Sequence, residues 1–153
     1  MPRRLGGCIF AESPNRAAGI ASVFWRADVN PAVLPIDAYR ASHDHRDGFD
    51  IRHVAYPVTV LRRGDGIEHV LLGGGIHRVQ LEVRQRTLLE GPVELRYDIV
   101  GFEGLEPKLT TLHRLISLRR LGRFPHSLFP PERRTPRWII ALRALDGSRA
   151  GAS

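Results

Sequence analysis

The chain has 153 residues, of which 42% are hydrophobic and 25% are charged, a composition typical of a globular domain that excludes wholesale disorder. No apolar run approaches the roughly 20 residues of a membrane span, and Cys8 is the only cysteine, so an internal disulfide framework is excluded as well. The formal net charge is +7. All of the excess positive charge lies in residues 105–153, which contain ten Lys and Arg but three acidic residues. We therefore expect a cytoplasmic protein without a membrane partner.

The first third of the chain predicts an irregular region, residues 1–56, with short edge strands. Apolar runs at residues 8–11 and 23–26 favour two such strands. The stretch that contains Pro31 and Pro35 is predicted to be an edge strand or a loop, because proline has no N–H to donate within a sheet.

Residues 57–101 predict an antiparallel β meander, because apolar side chains recur there at every second position. Glycine-rich segments at 64–66 and 73–75 supply the positive φ angles that hairpin turns need. The strands at 77–83 and 93–99 each have one apolar and one charged face. We therefore expect one face of the meander to be solvated.

Helical spacing of leucines begins after Gly104 and predicts a helix at about 105–121, with Gly122 as its C-cap. A proline-rich connector follows, held by Phe124, Leu128 and Phe129. A second helix is predicted at about 136–146, with Trp138 on its buried side. The predicted fold is α+β: an antiparallel meander and two C-terminal helices, with residues 57–153 as one domain.

Catalytic and metal chemistry are not favoured by the sequence. The densest group of metal-ligand side chains lies in residues 43–53, but its spacing matches no known zinc site and favours a solvated loop. The group comprises His43, Asp44, His45, Asp47, Asp50 and His53. No serine lies in a nucleophile-elbow pattern. We predict a protein that is not an enzyme and that needs no metal and no cofactor.

Arginines cluster at the two helix ends that flank the connector. Arg119 and Arg120 lie in a last helical turn, where cations are favoured by the helix dipole. Arginines at the start of the second helix oppose that preference and lie beside free N–H donors, which indicates a phosphate site. The candidate DNA-backbone contacts are Arg120, Arg123, Arg133, Arg134, Arg137 and Arg143.

Several motifs resemble a bacterial family. They include Leu-Leu-Gly-Gly-Gly at 71–75, Leu-Glu-Gly-Pro-Val at 89–93, Leu-Arg-Arg-Leu-Gly-Arg-Phe-Pro at 118–125 and Ser-Leu-Phe-Pro-Pro-Glu-Arg at 127–133. These segments are similar to the RovC-type transcription-factor DNA-binding domain, formerly a domain of unknown function. The resemblance covers most of the chain from about Cys8 and is most specific from Leu71 onward.

The resemblance implies a DNA-binding regulator of type VI secretion or of conjugative elements, with a helix-turn-helix variant as its reader. In the family, further helices follow the position of Ser153, so we expect a truncated copy with an incomplete reader. Its expected partners are DNA, bound weakly and mainly through phosphates, and either a second copy or another regulator chain. The alternatives are a protein-interaction fragment or antiactivator that does not bind DNA, and a small-ligand-binding β domain.

Overall fold

The computed structural model describes residues 4–5, 8–10, 22–41 and 46–129. Within these ranges the chain forms two β-sheets and one α-helix. The larger sheet has five strands, in the order Val58–Arg62, Glu68–Gly74, His77–Gln85, Leu34–Arg40 and Val93–Tyr97, and the smaller sheet has three, in the order Arg4–Leu5, Cys8–Phe10 and Val23–Trp25.

The strands are numbered in the order in which they occur along the chain. The small sheet consists of β1 (Arg4–Leu5), β2 (Cys8–Phe10) and β3 (Val23–Trp25), and the large sheet of β4 (Leu34–Arg40), β5 (Val58–Arg62), β6 (Glu68–Gly74), β7 (His77–Gln85) and β8 (Val93–Tyr97). Helix α1 spans Leu105–Leu121, and two short 3-10 helices lie at Ile51–His53 and His126–Leu128.

The predicted antiparallel meander is wrong, because the large sheet is mixed. Strand β4 lies between β7 and β8, and pairs in parallel with β7 and antiparallel with β8. The expectation of an edge strand or loop holds at Pro31, which lies in a turn, and is wrong at Pro35, which lies in an interior strand. Pro35 is tolerated because it is the second residue of β4, and its carbonyl accepts a hydrogen bond from the Asp98 N–H just beyond the end of β8.

One face of the large sheet forms the main core beneath α1. Leu34 and Ile36 of β4, Val79 and Leu81 of β7, and Leu115 of α1 are all buried in it. The inward residues predicted for β7 are confirmed by this packing. The alternation that predicted the strand therefore also identified its core face.

The prediction of a solvated second face holds at β8, where Glu94 and Arg96 are exposed, and is wrong at β7, where the small sheet covers that face. Gln80 and Glu82 point to that face and are buried, with 9% and 6% exposure. The backbone of β3 and the residues after it satisfy their polar groups. Phe24 of β3 is fully buried and packs against Leu71 of β6.

The helix at 105–121 and its glycine C-cap are confirmed. Gly122 has φ +65°, and its N–H donates to the Leu118 carbonyl at 2.9 Å. Within the described residues the fold is an α+β arrangement of two β-sheets, the larger one mixed, and this one α-helix, rather than the predicted meander with two helices. The second predicted helix, about 136–146, lies outside the described residues. No helix in the described ranges is long and apolar enough to cross a membrane.

Candidate nucleic-acid interface

The connector after α1 is attached to the β6–β7 hairpin by aromatic packing. The ring centroids of Phe124 and Tyr56 lie 4.6 Å apart, and the Phe124 N–H donates to the Tyr56 hydroxyl at 3.2 Å. The ring centroid of Phe129 lies 5.5 Å from that of Phe124 and 5.0 Å from that of His77. The predicted attachment of the connector through its aromatic residues is confirmed.

Gly73 makes this packing possible. Its φ is +96°, and a Cβ built on it would lie 2.2 Å from the His77 carbonyl oxygen and 3.1 Å from the Phe124 ring. The prediction of a hairpin at residues 73–75 is confirmed, since the turn joins β6 to β7. Glycine is needed at this position because the His77 backbone and the Phe124 ring lie too close for a side chain.

Arg114 of α1 holds the end of the connector. Its Nε and Nη2 both donate to the Leu128 carbonyl, at 2.9 and 2.6 Å, and its guanidinium lies 3.9 Å from the Phe129 ring centroid. Burial lowers the pKa of Arg114. This arginine is committed to internal contacts.

Arg119 fixes a loop against the same helix. Its Nε donates to the Gly48 carbonyl and its Nη2 to the Arg46 carbonyl, both at 3.0 Å. These contacts hold residues 46–48 beside the last turn of α1. The exposed side chain of Arg46 is therefore placed near the helix end.

A groove of about 420 Å³ lies between this loop, β8 and α1. Its apolar lining is formed by Phe49, Leu95, Leu115 and Ile116, and its charged lining by Arg46, Arg119 and Arg120 together with Asp47 and Glu94. Tyr97 also lines the groove, and burial together with the nearby Asp47 raises the pKa of its hydroxyl. The groove brings three cations to one side of the helix end.

Arg120 and Arg123 are the sequence-predicted contacts that the structure describes. Both are exposed. Neither forms an ion pair with any residue in the described ranges. Arg120 lies in the last turn of α1, where its charge is favoured by the helix dipole, and Arg123 follows the C-cap. The other four predicted contacts, Arg133, Arg134, Arg137 and Arg143, lie outside the described residues.

Five of the ten arginines described between residues 22 and 104 differ from this pair, because they form ion pairs with carboxylates. The pairs are Arg26–Asp28, Arg52–Asp50, Arg62–Glu68 and Arg63–Asp65, and Arg84 contacts both Glu82 and Asp98. The other five form no ion pair in the described ranges, but residues 1–104 contain as many acidic residues as arginines, so the excess of positive charge begins with α1.

The histidine and aspartate cluster at residues 43–53 is described only in part. Asp50 caps the 3-10 helix Ile51–His53 by accepting from the Arg52 N–H at 3.0 Å, and its carboxylate also binds the Arg52 guanidinium. The Arg52 side chain holds the pKa of Asp50 at about 2. Asp47 is exposed, and His43, Asp44 and His45 lie outside the described residues.

The sequence placed Arg119 in the basic cluster at the helix end and gave no sign of the backbone carbonyls that bind Arg114 and Arg119. These partners are Leu128, Gly48 and Arg46. A backbone carbonyl leaves no signature in the sequence, so only the fold separates arginines that hold loops from arginines that face solvent.

Comparisons of the sequence with protein family models and with curated proteins, and of the fold with solved structures, found no match.

Proposed function

We propose that this chain is a DNA-binding transcriptional regulator of the RovC type, and that arginines at the C-terminal end of α1 contact the DNA backbone. The observation that carries the proposal is the contrast among the arginines. Five of the ten arginines described between residues 22 and 104 are paired with carboxylates, whereas Arg120 and Arg123 lie close together in sequence, are exposed and have no such partner in the described ranges. Exposed, unneutralised arginines at one end of an element suit phosphate groups.

The loop at residues 46–48 extends this surface. Arg119 binds two carbonyls of the loop, and Arg46 and Arg120 line the same groove. A positive surface fixed on a helix end requires less ordering on binding than one on a free loop. The further predicted contacts, Arg133, Arg134, Arg137 and Arg143, follow in sequence a few residues after Phe129, whose ring packs against Arg114.

The binding mode is backbone contact. Phosphate contacts set affinity and register but carry little sequence information. We therefore propose weak binding that is largely indifferent to sequence, in the cytoplasm and without catalysis. Control of type VI secretion or of conjugative elements would then require a second copy or another regulator chain to supply base recognition.

The test is the affinity for a random duplex at about 50 mM salt, measured by fluorescence anisotropy. The double variant Arg120→Glu/Arg123→Glu should bind roughly tenfold or more weakly than the parent, because it loses two phosphate contacts and gains repulsion. The control Arg40→Glu/Arg86→Glu makes the same change of charge at exposed arginines near Glu90, and should bind more nearly as the parent does. Equal effects of the two variants would contradict the proposed surface.

A second candidate function is a protein-interaction module or antiactivator that does not bind DNA. The turn before α1 favours it, because Val100 and Phe102 are 76% and 92% exposed. Exposed apolar groups of this size are typical of partner surfaces. Absence of DNA binding by the parent at low salt, together with self-association that Phe102→Ser abolishes in light scattering, would favour this function over the first.

A further inference from the structure

His69 is the second residue of β6, lies between the two sheets and is fully buried. Among the residues that the structure describes, neither ring nitrogen has a hydrogen-bond partner. The ring centroid of Phe24, from the small sheet, lies 6.3 Å away. Such a buried polar group without a partner is costly, and its cost rises steeply if it becomes charged.

Few polar contacts hold the small sheet in place over His69. Within the described ranges, the Gln80 side chain makes two hydrogen bonds with the backbone of Trp25, and the Glu82 carboxylate accepts from the Ala27 N–H at 2.8 Å. The described apolar contacts are the packing of Phe24 on Leu71, with Leu61 against this pair, and the Phe24 ring beside His69.

We propose that the small sheet, β1–β3, is a pH-responsive cover that detaches from the large sheet when His69 becomes protonated. This inference is independent of DNA binding. It rests on the burial of His69 beneath the cover and on its lack of hydrogen-bond partners.

The charged groups around His69 do not offer a free anion. Glu82 is the direct cross-strand neighbour of His69 on β7, but its carboxylate is engaged by Ala27 and by Arg84. Asp65, in the turn before β6, is paired with Arg63. On the cover, Arg26 follows β3, and Arg4 and Cys8 belong to β1 and β2. On β5, the cross-strand neighbour is the apolar Leu61.

Protonation therefore disfavours the closed arrangement in either of two ways. If Glu82 remains bonded to Ala27, the imidazolium is buried without a dedicated anion. If Glu82 turns to the imidazolium, the Ala27 N–H loses its partner and one of the polar contacts that hold the cover is broken. Detachment lets water reach His69 and removes both costs.

The direction of the pH dependence follows from burial. Desolvation lowers the pKa of His69 in the closed form, with Glu82 opposing this shift. The open form should titrate near the ordinary histidine value of about 6.5. Closure is thus complete above about pH 6.5 and weakens as the pH falls below it, by up to about tenfold in the opening constant for each pH unit.

The test is amide hydrogen exchange measured by NMR at about pH 7.5 and about pH 5.5, corrected for intrinsic exchange rates. The Trp25 and Ala27 amides report opening, because they donate to Gln80 and Glu82. Their opening constant should rise about tenfold at the lower pH. The Val93 amide, which donates to the Phe49 carbonyl in the large sheet, should not follow this rise.

Two variants separate His69 from other titrating groups. His69→Phe should abolish the rise, and His113→Gln, which removes an exposed histidine of α1, should retain it. If His69→Phe does not fold, the ring of His69 in the parent should titrate below about 6.5, in step with exchange at Trp25. Exchange at Trp25 and Ala27 that does not change with pH in the parent, or that rises equally in His69→Phe, would overturn the proposal.

Discussion

The side-chain amide of Gln80 forms with the backbone of Trp25 the two hydrogen bonds that a neighbouring strand would form. Its Oε1 accepts from the Trp25 N–H at 3.2 Å, and its Nε2 donates to the Trp25 carbonyl at 2.6 Å. The Gln80 side chain of the large sheet thus makes, with a strand of the small sheet, the hydrogen bonds that a paired strand would make. This contact accounts for the burial of a polar residue on a strand face that its sequence pattern assigns to solvent.

Gln80→Leu should destabilise the protein by about 1–3 kcal/mol, because it leaves the Trp25 N–H and carbonyl partly buried without partners. The measurement is the midpoint of denaturant unfolding. Gln85→Leu is the matched control, since Gln85 lies on the same strand and is exposed. An equal loss of stability in the two variants would show that the amide of Gln80 has no special role.

Gly73→Ala should destabilise the hairpin and the connector that packs on it. The φ of +96° alone should cost about 1–3 kcal/mol with a side chain present, and the contact with the His77 carbonyl adds to it. Gly74→Ala is the control, because a Cβ there meets nothing within 4 Å. Thermal melting checks the pair, and similar melting temperatures for the two variants would contradict the close approach at Gly73.

Arg114→Lys should loosen the connector even though it preserves the charge. Lysine cannot present both Nε and Nη2 to the Leu128 carbonyl, and it lacks the planar group that lies on Phe129. We expect a loss of about 1–2 kcal/mol, with faster amide exchange in the segment Phe124–Phe129. Arg120→Lys, at an exposed site in the same helix, should leave both quantities unchanged, and a similar loss there would argue against the assigned role of Arg114.

The Asp50 carboxyl should titrate at about 2, chiefly because its side chain binds that of Arg52. Its contribution to stability is present above the ordinary pKa of an aspartate and is lost as the pH falls towards about 2. Arg52→Gln should raise this pKa towards the ordinary value, whereas His53→Gln should change it little. Carboxyl NMR titration measures both, and an unchanged pKa in Arg52→Gln would refute the assignment.

Local sequence signals were sufficient for α1 and for the β6–β7 hairpin. Glycines 104 and 122 bracket a leucine repeat of helical period, and both adopt positive φ in the structure. Gly73–Gly75 similarly marks a turn that leads into β7, in which apolar and polar side chains alternate. In these elements the turn residues and the hydrophobic period indicate the same boundaries, so no distant part of the chain is needed to define them.

Strand β4 and the covered face could not be obtained in this way. Pro35 argues against an interior strand, and only the placement of β4 between β7 and β8 shows that its missing N–H is tolerated at the strand start. The sequence pattern predicts that Gln80 and Glu82 are exposed to solvent. It cannot indicate their hydrogen-bond partners, because these are backbone groups 55 residues away in sequence. Both errors come from long-range pairing, which alternation within a strand does not encode.

For the candidate site, the sequence located the basic end of α1. It did not show which of the arginines there bind other parts of the protein and which are exposed to solvent. Arg119 and Arg120 are adjacent, yet one binds loop carbonyls and the other faces solvent. Which of two neighbouring helix positions meets a loop depends on the packing of residues 46–48 against the helix. That packing is a tertiary property.

The most direct test of the proposed DNA contact is the dependence of binding on salt. Each phosphate contact contributes about −0.9 to the slope of log K against log salt concentration. The slope for Arg120→Glu/Arg123→Glu should therefore be shallower than that of the parent by about 1.8, which corresponds to two lost contacts. Identical slopes for the parent and this variant, at any affinity, would contradict the assignment of a DNA-backbone surface to the end of α1.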